Sequence, residues 1–519
     1  MKKLALMIVG LVVACNSSQK AVPDKTIAEQ PTIGPASFAG TITEVELKEH
    51  LYEYASDEYQ GRETGQPGQK MASEYIKKEY RSIGVPAAKD DGDYYQNVPL
   101  EARKMPSGTV IFNEVEYELG QDVLAFSKAE GSFENIVYAG YGIEDANYSD
   151  YQDLEVKDKL VLVKFGEPKN PDGTYKVSGT NESSDWSNIS EAFGKRSKVI
   201  NDKGGVGILY LDEANYGRYK SYFKRMKKRA ANNLSIKAEN ADFISVLLNE
   251  NTATALYPDV INNSDPKFVS ADIDLNLTTE NNTINSENVV AMIKGSTYPN
   301  EYIIISAHLD HIGVTEKGEI NNGADDDGSG TVALLEIAEA FKQASEAGHG
   351  PKRSIVFLHV TGEEKGLLGS QYYTDYQPIF PLAQTVANLN IDMIGRIDPK
   401  REGGRNYIYL IGSDKLSTDL HKLSEDVNRK YANMELDYTY NDENDPNRFY
   451  YRSDHYNFAK NNIPIIFYFN GTHDDYHRPS DTADKINYDL LENRARLIFH
   501  TAWEIANRDQ KVIVDKATK

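Results

Sequence analysis

The sequence is almost free of cysteine, since Cys15 is the only one in 519 residues. A single cysteine cannot close an intramolecular disulfide or supply a thiolate metal site, which leaves His, Asp and Glu as candidate ligands. Basic residues are also outnumbered, with 57 Lys and Arg against 79 Asp and Glu and a formal net charge of -22. Because a nucleic-acid surface needs a basic footprint, this balance argues against a nucleic-acid partner.

The N-terminal apolar run is short. It extends from Leu4 to Val13 after two lysines, which is the length of a secretory signal core and too short to cross a bilayer as a helix. The following "VVAC" resembles a bacterial lipobox, so residues 1–14 are expected to be a lipoprotein signal peptide and Cys15 its lipid attachment site. Residues 15–40 read as a flexible tether. These features predict a protein of the cell envelope, periplasmic or cell-surface, whose only membrane contact is the lipid anchor.

The remaining residues are too many for one ordinary hydrophobic core, and their pattern of apolar residues divides them into two parts. From residue 288 onward, apolar strands such as "YIIISA" and "SIVFLHV" alternate with helices such as "SGTVALLEIAEAF". This alternation predicts an α/β fold with a mainly parallel sheet covered by helices on both faces. We assign residues 41–112 and 288–519 to this domain, and residues 113–287, which are rich in short β-like runs, to an insertion.

Acidic residues and histidines follow the predicted strands where each strand ends. They are His308 and Asp310 in "HLDH", Glu363 and Glu364 in "TGEE", Asp392 in "IDMIG", and His477 in "DDYHRPSD". The carboxyl ends of parallel strands share one edge of a sheet, so these side chains are expected to converge there. "NNGADDDGSG" adds three consecutive aspartates, Asp325 to Asp327, before an apolar helix.

Metal ions are the simplest source of the positive charge that such a cluster needs. Imidazole and carboxylate ligands suit zinc or a similar divalent ion, and the number of anions favours two ions over one. Two ions about 3.5 to 4 Å apart would share one bridging carboxylate. Asp325 is the expected bridge.

Five motifs together resemble the M28 family of di-zinc peptidases: "AHLDHIG", "NNGADDDGSG", "TGEEKGLLGSQYY", "NIDMIGR" and "DDYHRPSDT". "YASDEYQGRETGQPG" is similar to the N-terminal motif of larger secreted members. Residues 133–166 are similar to a protease-associated (PA) domain, which such members carry as an insertion. The resemblance implies the zinc-peptidase fold and peptide or protein substrates.

Carried over motif by motif, the resemblance implies a ligand set. His308 and Asp392 would bind one Zn²⁺, Glu364 and His477 the other, with Asp325 bridging. Asp310 would orient the His308 ring from behind, and Glu363 would be the general base. A cis peptide is expected between Asp325 and Asp326, which places Asp326 beside the ligands. One departure is the absence of the disulfide that small secreted members carry beside the pocket.

A weaker signal lies in "FYYRSDHYNFAKNNIPIIF", which resembles the segment bordering the family's substrate pocket. Tyr451, Arg452, Asp454 and His455 are therefore candidates for substrate contact, although Arg452 pairing with a nearby carboxylate is an equally good interpretation.

The sequence favours an aminopeptidase that removes N-terminal residues. A metallo-carboxypeptidase with Arg452 binding the substrate's C-terminal carboxylate, a glutaminyl cyclase, and a non-catalytic peptide-binding protein of the envelope are alternatives.

Overall fold

The computed structural model describes residues 34–228, 234–237 and 243–516. The expected signal peptide, Cys15 and most of the expected tether lie outside these residues. The end of that tether is not a linker, because residues 35–39 form a helix whose Phe38 is buried and stacks on Trp503 with ring centroids 5.9 Å apart. In the described residues, no helix is both long and apolar enough to cross a membrane.

The α-helices of the described chain are α1 (Pro35–Ala39), α2 (Glu44–Tyr54), α3 (Pro67–Ser82), α4 (Ala192–Asp202), α5 (Glu213–Lys228), α6 (Glu250–Leu256), α7 (Gly330–Glu346), α8 (Leu368–Gln371), α9 (Thr418–Val427), α10 (His455–Ala459) and α11 (Tyr488–Asn507). Helix α2 is capped by Thr43, whose hydroxyl accepts from the Glu46 backbone N–H and donates to the Glu46 carboxylate.

The strands are β1 (Tyr95–Arg103), β2 (Ser107–Phe112), β3 (Val115–Tyr117), β4 (Val123–Ala125), β5 (Ala129–Tyr138), β6 (Glu144–Asp145), β7 (Tyr148–Ser149), β8 (Leu160–Lys164), β9 (Gly207–Leu211), β10 (Leu234–Ile236), β11 (Ile244–Leu248), β12 (Lys267–Thr278), β13 (Asn281–Ile293), β14 (Tyr298–His308), β15 (Arg353–Val360), β16 (Thr385–Ile391), β17 (Tyr407–Ile411), β18 (Glu435–Asp437) and β19 (Ile465–Phe469).

The first sheet has nine strands in the order β10-β1-β13-β15-β14-β16-β19-β17-β18. Its four central strands, β15, β14, β16 and β19, are mutually parallel, while β13 and β17 pair antiparallel on either side of them. The sheet is therefore mixed, and the predicted parallel arrangement holds at its centre. These central strands are also the ones that lead into the predicted site loops.

Helices cover both faces of this sheet, as the sequence predicts. Ile303 and Ile305 of β14 are fully buried against α2, α3, α7 and α11, whereas Ile304 between them is buried on the opposite face near α10. Alternate side chains of a strand point to opposite faces, so a strand apolar at every position must be covered twice. This burial fixes the central strands rigidly below the site.

The second sheet has eight strands in the order β3-β2-β12-β5-β8-β9-β11-β4 and has apolar clusters of its own on both faces. It runs from Ser107 to Thr278, whereas residues 281–287 of β13 pair with β1 in the first sheet. The insertion therefore begins and ends earlier along the chain than the expected residues 113–287. Its identity as a PA domain stays a prediction from sequence.

Candidate metal and catalytic centre

The first half of the centre lies at the end of β14. His308 is the last residue of that strand and is 1% exposed, and its Nε2 lies 3.2 Å from Asp326 Oδ1 and 3.7 Å from Asp392 Oδ1. Asp392 directly follows β16, the neighbouring parallel strand. The sheet thus brings together two side chains that the sequence assigned to the same ion.

The second half is built by loops after β14, β15 and β19. Glu364 Oε2 lies 3.2 Å from His477 Nε2, and Glu364 Oε1 lies 2.9 Å from His311 Nδ1. Asp326 Oδ2 lies 3.1 Å from His477 Nε2. His311 belongs to the quoted "HLDH" motif, but sequence reasoning passed over it and used only His308 and Asp310.

Asp326 lies between the two halves of the centre, in the place where the sequence analysis expected Asp325. The two Asp326 carboxylate oxygens lie within 3.2 Å of imidazoles from both halves of the centre. The cis peptide is also shifted by one residue, since it joins Asp326 to Asp327 and not Asp325 to Asp326. Asp326 is therefore a candidate ligand rather than a residue behind the ligands.

Asp325 is buried and faces away from the two ligand groups. Its carboxylate accepts from the Gly395 backbone N–H at 2.6 Å, Asn470 Nδ2 at 3.1 Å, the Ser329 hydroxyl at 3.0 Å, and pairs with His473 Nε2 at 3.1 Å. These partners satisfy it without a metal.

Asp327 is held by backbone donors instead. It accepts from the N–H groups of His308, Gly330 and Met393 at 2.9 to 3.1 Å. Burial raises the pKa of Asp327 well above its ordinary value. Its carboxylate nevertheless joins His308 and Asp392 in one of two described groups whose atoms are close enough to hold a cation, and the other group is His311, Asp326 and Glu364.

A glycine shapes the loop before the triplet. Gly323 has a φ of 55°, and a Cβ there would lie 2.5 Å from the His311 ring and 2.3 Å from the Asp326 carbonyl oxygen. Any other residue would displace the candidate ligands, which explains the glycine in "NNGADDDGSG".

The donor set fits divalent cations. His308 Nε2, both His311 nitrogens, Asp326 Oδ2 and Glu364 Oε1 are buried without a properly oriented hydrogen-bond partner in the described part of the chain. Buried polar atoms rarely stay unpaired, and imidazole with carboxylate is a donor set that zinc accepts. Although burial alone would raise the pKa of Asp326, the imidazoles of His308 and His477 at 3.2 and 3.1 Å bring that pKa well below the usual value.

Glu363 occupies the position expected of a base. It follows β15 and lines a cavity together with Asp326 and Asp392. Burial, reinforced by the neighbouring Glu364 and Asp392, raises the pKa of Glu363 well above its ordinary value, although His308 opposes this. A carboxyl group with a raised pKa holds an accepted proton more readily.

Asp310 connects two loops rather than contacting the His308 ring closely. The His308 Nδ1 hydrogen bond goes to the backbone oxygen of Asp310 at 3.0 Å, while the carboxylate Oδ1 lies 3.9 Å away. That carboxylate accepts instead from the Glu363 N–H at 3.1 Å and from the Thr64 hydroxyl at 2.7 Å. The backbone oxygen of Asp310, rather than the expected carboxylate, therefore orients the His308 ring.

The N-terminal motif "YQGRET" reaches the centre directly. Arg62 is 1% exposed and donates to the backbone oxygens of Asn322 and Gly323, directly before the aspartate triplet. Thr64 donates to Asp310, as described above. Residues that precede the insertion in the chain thus hold both loops of the centre.

The four candidate substrate contacts differ in position. Arg452 lines the cavity of Glu363, and Tyr451 is exposed beside it. Asp454 is buried and accepts from the Ser370 hydroxyl at 2.5 Å, and burial raises its pKa to about 7. His455 is buried, donates from Nε2 to the Tyr450 backbone oxygen at 2.8 Å, and stacks on Phe467 with centroids 4.5 Å apart. Of these four residues, the structure places only Arg452 at the cavity wall.

Ser453 is a further residue that the sequence did not reveal. Its hydroxyl donates to Asp392 Oδ2 at 2.6 Å and accepts from Asn390 Nδ2 at 2.9 Å. Ser453 lies in the quoted "RSDH", where the sequence analysis selected only its charged neighbours as candidates. This hydrogen bond fixes the orientation of the Asp392 carboxylate.

A family model, Peptidase family M28, matches residues 288–502. A probable leucine aminopeptidase 2 of Aspergillus oryzae is 32% identical over 213 residues, which are 39% of this chain and 37% of that protein. Aminopeptidase YwaD of Bacillus subtilis is 25% identical over 233 residues, 44% of this chain and 46% of the relative. The chain thus spans less than half the length of these relatives.

Among solved structures, a zinc aminopeptidase from Bacillus subtilis aligns over 92% of this chain and 99% of its own, with 16% identity and a TM-score of 0.47. The matched family segment contains every residue of the centre from His308 to His477. The chain therefore carries a domain of peptidase family M28 at residues 288–502.

Proposed function

We propose that this protein is a zinc-dependent aminopeptidase that hydrolyses peptide bonds at the N-termini of peptides. The observation that carries the proposal is the cavity in which the candidate base Glu363 meets Asp326 and Asp392. A metal-binding protein without activity has no need of a second carboxylate at this cavity beside the ligand Glu364. The relatives named as aminopeptidases support the same assignment.

We assign two zinc ions to each chain. His308 and Asp392 would hold one, Glu364 and His477 the other, and Asp326 would bind both, with His311 and Asp327 directly behind them. Zinc bound there would supply Lewis acidity toward the scissile carbonyl and toward a water molecule. Ser453 and the Asp310 backbone would keep the Asp392 and His308 donor atoms aimed at that ion.

Glu363 moves the proton in this proposal. Its carboxylate takes a proton from the attacking water and returns it to the leaving amine, so that it ends the cycle ionised as it began. A raised pKa lets the Glu363 carboxyl hold the accepted proton more readily until it passes to the amine. The hydrogen bond from the Glu363 backbone N–H to the Asp310 carboxylate at 3.1 Å would hold the Glu363 backbone in place during this exchange.

The acidic surroundings favour a substrate with a free amino terminus. Of the three carboxylates at the cavity wall, Asp326 and Asp392 are assigned to zinc, which leaves Glu363 to attract an ammonium group. A peptide whose N-terminus is acetylated lacks this charge and also adds bulk. Removal of single residues from free N-termini is the activity that follows.

The direct test uses one peptide in four forms: unmodified, N-acetylated, C-amidated, and with an N-terminal glutamine. The zinc-loaded protein should release the first residue from the unmodified and amidated forms and leave the acetylated form intact, as followed by mass spectrometry. Protein treated with a chelator and Glu363→Gln protein are the controls. Cleavage that requires a free C-terminus would indicate a carboxypeptidase, and loss of ammonia from the glutamine peptide with intact peptide bonds would indicate a cyclase; either result refutes the proposal.

A further inference from the structure

The cavity beside the candidate base has two unlike walls. One carries Asp326, Glu363 and Asp392, and the other is mainly aromatic, with Met393, Phe449, Phe467, Phe469 and Tyr476 beside the polar Thr472. Arg452 is the only cationic side chain among the described residues that line it. An apolar wall with a guanidinium at its exposed end suits a side chain with methylene groups and a terminal negative charge.

Arg452 is available for such a ligand. Its guanidinium carbon lies 4.9 Å from the centroid of the Phe449 ring, and the residue is exposed. In the described ranges 34–228, 234–237 and 243–516, its guanidinium has neither an ion pair nor a hydrogen bond. The sequence analysis offered the alternative that Arg452 pairs with a nearby carboxylate. The described residues contain no such partner, even though acidic residues outnumber basic ones by 79 to 57.

We infer that Arg452 makes this protein selective for peptides that begin with glutamate, with aspartate as the weaker substrate. The inference rests on the proposed aminopeptidase function and names its substrate class. The two methylenes of a glutamate side chain would lie along the aromatic wall, and its carboxylate would pair with the guanidinium. Charge-assisted bonds of this kind are stronger than neutral ones and are often bidentate for arginine.

The position of Arg452 favours the first side chain over the peptide's C-terminal carboxylate. In peptides of different length, the C-terminal carboxylate lies at a variable distance from the bond that is cut. The first side chain is always at the same distance from that bond, and Arg452 shares a cavity with the residues that would act on it. Without Arg452, an acidic side chain would be repelled by Glu363, the carboxylate of the opposite wall that is not assigned to zinc.

Matched p-nitroanilides of glutamate, glutamine, leucine and lysine test the inference. Glutamate and glutamine differ in charge but hardly in shape, so their kcat/KM ratio isolates the charge effect. We expect a glutamate preference of about tenfold, as one charge-assisted pair at a partly exposed site would give. Arg452→Gln should bring the ratio to about one, and Arg452→Glu should raise hydrolysis of the lysine substrate relative to the glutamate one.

Arg448→Gln is the matched control. Arg448 stacks on Tyr451 at 4.7 Å and lines a separate neighbouring cavity, so its loss removes the same charge without changing the site. The ratio should stay near its original value in this variant. An equal fall in both variants would reduce the effect to general electrostatics and overturn the inference, as would a ratio of one or below in the unmodified protein.

Two further results separate the remaining explanations. If Arg452→Gln slows unblocked dipeptides but not the glutamate p-nitroanilide, then Arg452 binds the C-terminal carboxylate and the inference is wrong. If no substrate of any kind is hydrolysed, the proposed function fails by itself. Calorimetric binding of free glutamate and glutamine to the zinc-loaded protein then decides: tighter glutamate binding that Arg452→Gln abolishes supports the inference, and equal binding refutes it.

Discussion

The Asp326 carboxylate spans two histidines from opposite sides of the centre, with Oδ1 3.2 Å from His308 Nε2 and Oδ2 3.1 Å from His477 Nε2. Neighbouring Asp325 contacts neither of them and is satisfied by Gly395, Asn470 and His473. Asp326 is therefore placed to bind metal, whereas the adjacent Asp325 stabilises the surrounding fold.

Substituting these two aspartates separates the tasks. Asp326→Asn should weaken zinc binding by more than the ~10- to 100-fold typical of residues behind the ligands, because it removes a charged donor shared by both ions. Asp325→Asn should retain zinc but lower the free energy of unfolding by about 1–3 kcal/mol, since it replaces a buried acceptor by an amide that must donate. Metal analysis after dialysis and chemical denaturation measure the two effects. Retention of two zinc ions by Asp326→Asn would return the bridge to Asp325.

Much of the centre could be predicted because strand ends converge by geometry. His308 ends one parallel strand, and Glu363, Glu364 and Asp392 follow two others. These strands contain buried, mostly apolar runs, and the sheet order brings the four side chains to one edge. Periodicity and continuous burial are properties of the local sequence. No tertiary information is needed to read them.

The register within the aspartate triplet could not be predicted in this way. Three consecutive aspartates give no indication of which carboxylate faces the ligands. The direction of each side chain depends on the local backbone, and Asp326 and Asp327 depart from helical geometry with ψ angles of 99° and 45°. The contacts of Arg62 and Thr64 could not be predicted either, because their partners Gly323 and Asp310 are remote in sequence. Contacts between distant loops leave no periodic signal.

Glu363 and Glu364 are neighbours whose substitution should give different losses. Glu363→Gln keeps shape and hydrogen bonding but cannot take up the proton, so kcat should fall by at least the ~10²- to 10⁴-fold typical of a lost general base, with little change in KM or zinc content. Glu364→Gln should lower zinc content, and excess zinc should partly restore its activity. Kinetics and metal analysis of both variants provide the measurement, and near-normal turnover in zinc-replete Glu363→Gln would contradict the assignment.

Thr64 should affect catalysis from outside the cavity. Its hydroxyl donates to Asp310 Oδ2 at 2.7 Å, and Asp310 Oδ1 accepts from the Glu363 N–H. Thr64→Val keeps the shape but leaves a buried carboxylate oxygen without this donor. We expect kcat/KM to fall by about 10- to 100-fold, mainly through kcat, because the Glu363 loop loses its support.

Two further variants show whether this effect is specific. Thr64→Ser retains the hydroxyl and should recover most of the activity. Thr501→Val removes another buried threonine hydroxyl, one that donates to the Leu497 backbone oxygen in α11, and should change stability without the selective loss of kcat. If Thr64→Val and Thr501→Val reduce kcat alike, the Thr64 effect is a general loss of stability.

His500 provides a pH test that does not involve the metal centre. It is 4% exposed in α11, its ring stacks on Tyr431 at 3.9 Å, and burial lowers its pKa to about 4. In the unfolded chain the pKa of a histidine is about 6.5. Between these values the unfolded state binds more protons than the folded state, so the free energy of unfolding decreases as the pH falls from about 6.5 toward 4.

Replacing His500 with phenylalanine removes this titration while keeping an aromatic ring against Tyr431. We expect the unmodified protein to lose on the order of 1–2 kcal/mol more than His500→Phe between pH 7 and pH 5. Urea unfolding of chelator-treated protein at several pH values measures the difference, since removal of metal eliminates the acid-driven loss of zinc from both proteins. Parallel stability curves for the two proteins would show that His500 is protonated as readily in the folded state as in the unfolded one, contrary to its burial.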